Sequence, residues 1–175
     1  MKILIVNKKT IYILSIIIFI IAIVAFYISF YNRIDETFNM DIYYKGNVDE
    51  KVVAFACNVD WGNEYILPML EIFEKQNINI TYFVTGIWAE KNPELLKTIY
   101  DYGHEIGNHG YRHMDYDKLS YDKNKEEILQ AHNILKDNLG VEANYFAPPS
   151  GAYNDNTIKA AKDLNYDIIM WSIDT

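Results

Sequence analysis

The chain has 175 residues, half of them hydrophobic, and a formal charge of −8, enough for one domain of ordinary size plus a membrane or targeting segment. The charge is uneven: before Ile34 stand Lys2, Lys8, Lys9 and Arg33 and no acidic residue, so the remainder carries 12 positive and 24 negative charges. That balance argues against a nucleic-acid partner, which asks for a basic face, and a single cysteine, Cys57, excludes both an internal disulfide and a cysteine-ligated structural zinc.

In chain order, the first feature is an uncharged run, residues 10–30 (TIYILSIIIFIIAIVAFYISF), without Gly or Pro. About 20 such residues span a bilayer as a helix, whereas a secretory signal has a shorter apolar core and a small-x-small cleavage site. The expected division is a cytoplasmic stub at 1–9, a transmembrane signal-anchor helix at 10–31 and a juxtamembrane linker at 32–50 with Tyr43 and Tyr44 as aromatic anchors. Lys8 and Lys9 precede the run and Asp35 and Glu36 follow it, so the positive-inside rule places the N-terminus in the cytoplasm and residues 51–175 outside.

Beyond the linker, strand-like and helix-like stretches alternate. KVVAFAC (51–57) reads as a buried strand and 63–76 as a helix with Asn63 as cap. INITYFVTG (78–86) is a second strand. Asn92-Pro93 opens a helix that stops at Gly103. Residues 105–108 form a short strand, Ser120 opens a longer helix to Gly140, and 144–151 contains a strand. A helix at 154–165 and a strand at 167–174 complete the series. Strands that are nearly continuous apolar runs are buried on both faces, which predicts a parallel sheet flanked by helices. The polar residues of interest all follow strands: Asn58 and Asp60 the first, His109 and His113 the third, Pro148 and Pro149 the fourth, Asp174 the fifth. Carboxyl ends of parallel strands are where such folds build their sites.

GHEIGNHGYRHMD, residues 103–115, holds three of the four histidines. Neutral imidazoles with one carboxylate suit zinc and leave a position open for water; His109, His113 and Asp60 are the candidates. A histidine pair four apart is weak alone, and a strand-end Asp is as readily a capping residue. His104 reads as structural and His132 as solvent-facing or helix-packing. Trp61, on a rim loop, suits stacking on a sugar ring, whereas Trp88 and Trp171 suit core packing. Tyr111 and Tyr153 are plausible groove residues, and Cys57 lacks the features of a nucleophile.

Taken together, VVAFACNVDWG, HEIGNHGYRH, FAPPSG and MWSIDT resemble, in order, the motifs of the NodB-homology polysaccharide deacetylases, carbohydrate esterase family 4, across residues 51–175. The resemblance implies a distorted (β/α) barrel, here preceded by one transmembrane helix. It implies removal of N-acetyl groups from cell-wall polysaccharide such as peptidoglycan or chitin-like N-acetylglucosamine units, with the membrane reached through the N-terminal helix. It also implies a divalent ion, Zn or alternatively Co, Ni or Mn, held by Asp60, His109 and His113, which polarises the acetamide and activates water. Trp61, Pro148, Pro149 and Gly151 fall at the substrate-binding positions.

The chain departs from the pattern. The family's first motif, T-F-D-D-G, is Ala56-Cys57-Asn58-Val59-Asp60-Trp61-Gly62 here. Aligned from the strand, Asn58 takes the catalytic-base position and Asp60 the metal position; aligned from Gly62, Asp60 takes the base position and Trp61 the metal position. The family's third-motif Arg is Ala147. Losing the base and its cation together leaves no orphaned charge, but an amide is not a general base, and Glu64 and Asp174 are the only nearby substitutes. Asp174 stands alone in a fourth motif, and the family's late catalytic His falls beyond Thr175, so the barrel is expected to be incomplete at the C-terminus. The alternative to an enzyme is a catalytically impaired relative or fragment that binds glycan or has no function.

Overall fold

The computed structural model describes residues 7–38, 42–47 and 49–174, and the side chains of all these but 29–38. Two compact units divide the chain, residues 1–40 and 41–175. The first contains α1 (Lys8–Phe38). Its stretch Lys8–Ile28 spans 21 residues and is long and apolar enough to cross a membrane: at 1.5 Å per residue it covers about 30 Å, the thickness of a hydrocarbon core. Within its own unit none of that stretch is buried.

The second unit is an α/β fold on one parallel sheet. Its elements are β1 (Ile42–Tyr43), β2 (Ala56–Val59), α2 (Asn63–Gln76), β3 (Thr81–Val84), α3 (Gly86–Lys91), α4 (Pro93–Asp101), β4 (Glu105–Asn108), α5 (Tyr121–Leu139), β5 (Tyr145–Phe146), α6 (Asp155–Asp163) and β6 (Asp167–Ile169). The strand order is β1-β6-β5-β4-β3-β2, so among the described residues the sheet is open, with β1 and β2 at its edges.

Local signals explain α5 and α6, whereas Asn63, expected as a cap, is the first residue of α2 behind Gly62 and its amide serves Trp88 and Asn92 instead. Ser120 caps α5 by accepting from Lys123 N, and Gly140 ends it in the left-handed region at φ 70°. Asn154 opens α6 with a reciprocal capping box to Thr157. The main core lies on one face of the sheet, where Val59, Tyr82, Val84 and Ile106 meet Ile66 and Leu70 of α2, Trp88 of α3, Leu96 and Ile99 of α4 and Leu135 of α5. At Gly107 a Cβ would sit 2.4 Å from the ring of Phe83 on the neighbouring strand, so that ring occupies the space a side chain would need.

Several stretches differ from the sequence reading, among them the strand expected at 167–174, which ends at Ile169. Residues 51–55 are not strand, and Val52, Val53 and Phe55 are exposed. β2 starts at Ala56 and has β3 as its one neighbour, so half of its pairing potential and much of its surface stay open. Ile42 and Tyr43, read as linker, pair with Ile168 and Ile169 of β6, a partnership across the length of the domain that local sequence does not show. The helix at 86–91 was not anticipated either.

Candidate active site

Strand register builds the rim. Val59 pairs with Val84, Val84 with Asn108, and Asn108 with Phe146. The ladder runs one step further, through Thr85 N to Val59 O at 3.0 Å, His109 N to Val84 O at 3.0 Å and Ala147 N to Asn108 O at 3.0 Å. The next residue of each strand, namely Asp60, Thr85, His109 and Ala147, therefore leaves the sheet at one level.

Side chains join across that row. The Thr85 hydroxyl accepts from Trp88 N at 3.3 Å as the cap of α3, which directs its proton to Asp60 Oδ1 at 2.7 Å. His109 is buried, and its Nδ1 lies 2.7 Å from Ala147 O. A carbonyl only accepts, so Nδ1 carries the proton and Nε2 keeps its lone pair, the tautomer that a metal ligand needs. Burial lowers the His109 pKa to about 4, with the Ala147 carbonyl and Asp60 pulling upward and His113 downward, so the ring is neutral at pH 7. The His109 and His113 rings stand 5.2 Å apart, edge to face.

The turn between the two histidines is braced from three sides. At the N-terminus of α3, Gly86 N donates to Gly110 O at 2.8 Å and Ile87 N to Tyr111 O at 3.1 Å. Asn108 Oδ1 accepts from Gly110 N at 2.7 Å. From α5, the buried Glu127 carboxylate accepts from Arg112 N at 3.0 Å and from its guanidinium at 2.5 Å. These contacts hold Gly110 at φ 74° and His113 at φ 53°; the second is costly for a residue with a Cβ.

Asp60 also lines a cleft of about 360 Å³ with Trp61, Gly62, Asn63, Glu64, Ile87, Trp88, Lys91 and Asn92. Its floor is a closed set of amides: Trp88 Nε1 donates to Asn63 Oδ1 at 2.6 Å, Asn63 Nδ2 to Asn92 Oδ1 at 2.7 Å, and Asn92 Nδ2 to Trp88 O at 2.8 Å. Trp88 is buried, while Trp61 is 79% exposed.

Of the residues singled out from sequence, His109, His113 and Asp60 share one rim. Among the described residues, however, no three His, Cys, Asp or Glu side chains converge into a group able to hold a metal, and Asp60 is turned onto Thr85. Asn58 is exposed on the edge strand. Pro148 and Pro149 are buried and shape the turn that brings Ser150 and Gly151 to φ 57° and 66°. Gly151 lies under Trp171, whose ring atoms a Cβ there would meet at 2.9 Å; Trp171 is 36% exposed rather than in the core. Asp174 is exposed. Tyr111 donates to Glu90 and Tyr153 shares a hydrogen bond with Tyr44. His104 is buried and accepts from Ile80 N, the structural role expected of it. The Cys57 thiol is pushed up by burial, which keeps it from being a ready nucleophile. Sequence reasoning missed Thr85, Asn108 and Glu127; only Asn108, a polar residue ending a short apolar strand, carried a local signal.

Comparison with known proteins decides the family. The family model described as polysaccharide deacetylase matches residues 45–169. The chain belongs to the polysaccharide deacetylase family. It is 39% identical to the uncharacterized protein YlxY of Bacillus subtilis (strain 168), over 80% of this chain and 44% of that protein. It is 31% identical to the peptidoglycan-N-acetylmuramic acid deacetylase PdaA of the same organism, over 76% of this chain and 51% of that one. Among solved structures, a carbohydrate esterase family 4 pseudoenzyme from Bacillus anthracis superposes with a TM-score of 0.74 at 34% identity, over 75% of this chain and 47% of that chain. A mutant of that pseudoenzyme with restored enzymatic activity superposes equally well. The chain thus spans about half the length of the relatives it matches.

Proposed function

We propose that this chain carries the metal-binding rim of a membrane-anchored deacetylase acting on N-acetylated cell-wall glycan. The observation that carries the reading is the His109–His113 pair at a strand-end rim, with the Nε2 of His109 freed by the Ala147 carbonyl. Asp60, His109 and His113 would hold a divalent ion, Zn or one of Co, Ni and Mn. Bound there, the ion would polarise the acetamide carbonyl and lower the pKa of a water. The protein's part is to keep His109 neutral and correctly oriented, through burial and Ala147 O. It also fixes the turn that presents His113 and offers Trp61 as a platform for a neighbouring sugar ring. The glycan is peptidoglycan or a related N-acetylglucosamine polymer, supported by the similarity to PdaA. α1 would anchor the chain with its N-terminus in the cytoplasm, so that residues 51–175 lie on the wall side of the membrane.

Zinc or cobalt binding by the full chain in detergent tests the metal. His113→Ala is expected to weaken it by more than about 100-fold, since loss of even a supporting residue costs about 10–100-fold. A chain that takes up no divalent metal refutes the proposal.

A second reading, a glycan-binding relative without catalysis, is favoured by Asn58 and Ala147 and by the likeness to a pseudoenzyme. Acetate release from N-acetylglucosamine oligomers separates the two: activity in the native chain excludes the second. Activity only after Asn58→Asp with Ala147→Arg establishes it.

A further inference from the structure

Asn108 closes β4 and is fully buried, yet polar. Two backbone groups settle how its amide points. Gly110 N can only donate, so it faces Oδ1 at 2.7 Å; Ile128 O can only accept, so it faces Nδ2 at 2.9 Å. The second Nδ2 hydrogen then goes to Tyr166 Oη at 3.1 Å. Because Tyr166 Oη accepts from Asn108, its own proton is free for His132 Nδ1, 2.7 Å away. That assigns a lone pair to Nδ1 and the ring proton to Nε2, which faces Glu142 Oε2 at 2.9 Å. Glu142 is in turn paired with Lys136. Burial pushes the Tyr166 phenol up to about 12, so it remains a donor throughout the working range. Every buried donor and acceptor along the line from Gly110 to Glu142 is matched in this one arrangement.

We propose that His132 is a positioning residue for the metal-binding turn, acting through Tyr166 and Asn108 on Gly110, the first of the three residues between His109 and His113, which sits at φ 74°. The inference rests on the reading of His109 and His113 as ligands, but the hydrogen-bond line itself does not. What His132 supplies is a single acceptor at Nδ1. Without it the Tyr166 proton has no partner and the hydroxyl leaves its place as acceptor for Nδ2; Gly110 N and Ile128 O still set which way the Asn108 amide points, but the amide loses the third contact that holds it rigidly against Gly110 N. A residue that only packs, or only pairs with Glu142, would show no such dependence on Nδ1.

The test uses the full chain in detergent and two readouts: hydrogen exchange at the Gly110 amide by NMR, and cobalt(II) affinity. Asn places an oxygen near the Nδ1 position, whereas Gln reaches toward the Nε2 position and Leu supplies no acceptor. His132→Leu, His132→Gln and Tyr166→Phe are expected to speed Gly110 exchange about tenfold, the effect of one lost buried hydrogen bond, and to weaken cobalt binding about tenfold. His132→Asn is expected to stay within about twofold of the native chain, as a retained acceptor requires. The His132 side chain is 17% exposed and its Nε2 faces an exposed carboxylate, so its variants disturb the core less than Tyr166→Phe, and urea unfolding of each variant separates loss of the fold from loss of the Nδ1 acceptor. Unchanged Gly110 exchange in His132→Leu overturns the proposal, as does an Asn variant as impaired as Leu. A native chain that binds no cobalt instead sinks the deacetylase reading, while Gly110 exchange still judges the relay.

Discussion

Replacing Glu127 is expected to loosen the turn that carries His113 while leaving the domain folded. Its side chain is 0% exposed, whereas its ionic partners Arg112 and Lys123 are 43% and 36% exposed. The carboxylate therefore bears the desolvation, and the cations regain water when it is removed. Breaking a fully buried pair costs about 3–5 kcal/mol because it strands a charge; here no cation is stranded, so that range is an upper bound. What remains is the loss of charge-assisted hydrogen bonds, about 1.5–3 kcal/mol, offset in part by the relief of burying a carboxylate. Glu127→Gln keeps the shape and one acceptor oxygen for two donors, Arg112 N and the guanidinium. Its expected cost is about 1–2 kcal/mol. Glu127→Leu removes both acceptors and leaves Arg112 N unpaired, at about 2–3 kcal/mol. Urea unfolding of the full chain in non-ionic detergent, followed by tryptophan fluorescence, reads the stability. The His113 imidazole resonances read the turn. If both variants unfold within 0.5 kcal/mol of the native chain, about the scatter of a surface substitution, and His113 is unmoved, the bracing role assigned to Glu127 is wrong.

Gly110→Ala combines a left-handed backbone with a Cβ only 2.1 Å from Tyr116 Oη; about 1–2 kcal/mol for the backbone and about 1–3 for overpacking predict a loss of roughly 2–5 kcal/mol in the same unfolding assay. Gly107→Ala meets the Phe83 ring at 2.4 Å and is expected to cost about 1–3 kcal/mol, visible as a lower urea midpoint. Acid should destabilise the domain through His109. Its folded pKa, about 4, lies below the ordinary histidine value of 6.5, so its contribution is present above pH 6.5 and is lost as pH falls toward 4. The total is about 3 kcal/mol at 1.36 kcal/mol per pH unit; unfolding curves between pH 7 and 4 for the native chain and His109→Gln check it, and identical slopes would refute it.

Helices with their own punctuation were legible in the sequence. Ser120 and Gly140 bound α5, and Asn154 opens α6, because capping is chemistry between neighbours. The parallel sheet followed from unbroken apolar runs, and the rim from polar residues placed just after them. What was not legible depends on distant partners. α3 is six residues long, and its free N–H groups hold the carbonyls of Gly110 and Tyr111. β1 exists because Ile42 meets Ile168. Glu127 reads as one more charge on a solvated helix until Arg112 is placed against it. Residues 51–55 misled for the opposite reason: their apolar pattern was genuine, but the open edge beside them leaves it uncovered among the described residues.

The rim also separates two properties that the family motifs join. His109 is oriented by the backbone carbonyl of residue 147, not by its side chain, and the turn to His113 is held by Gly86 N, Ile87 N, Asn108 and Glu127. None of these contacts uses the side chain of Asn58 or of Ala147. Substitution at either position therefore leaves the determinants of His109 and His113 intact, and a chain can lose its general base and its paired cation while retaining its candidate metal ligands. Restoration is harder than loss. Ala147 is 3% exposed, so Ala147→Arg alone places a guanidinium in a buried position with no carboxylate provided for it. On the strand-based alignment, Asn58→Asp is the substitution that would supply the cation's partner. The physical expectation is strong non-additivity: Ala147→Arg alone destabilises and yields no activity, and the double variant recovers part of that stability. A double-mutant cycle in urea that shows additive effects within about 0.5 kcal/mol would mean that positions 58 and 147 do not interact across the rim. The strand-based alignment that assigns Asn58 to the base position would then fall with it.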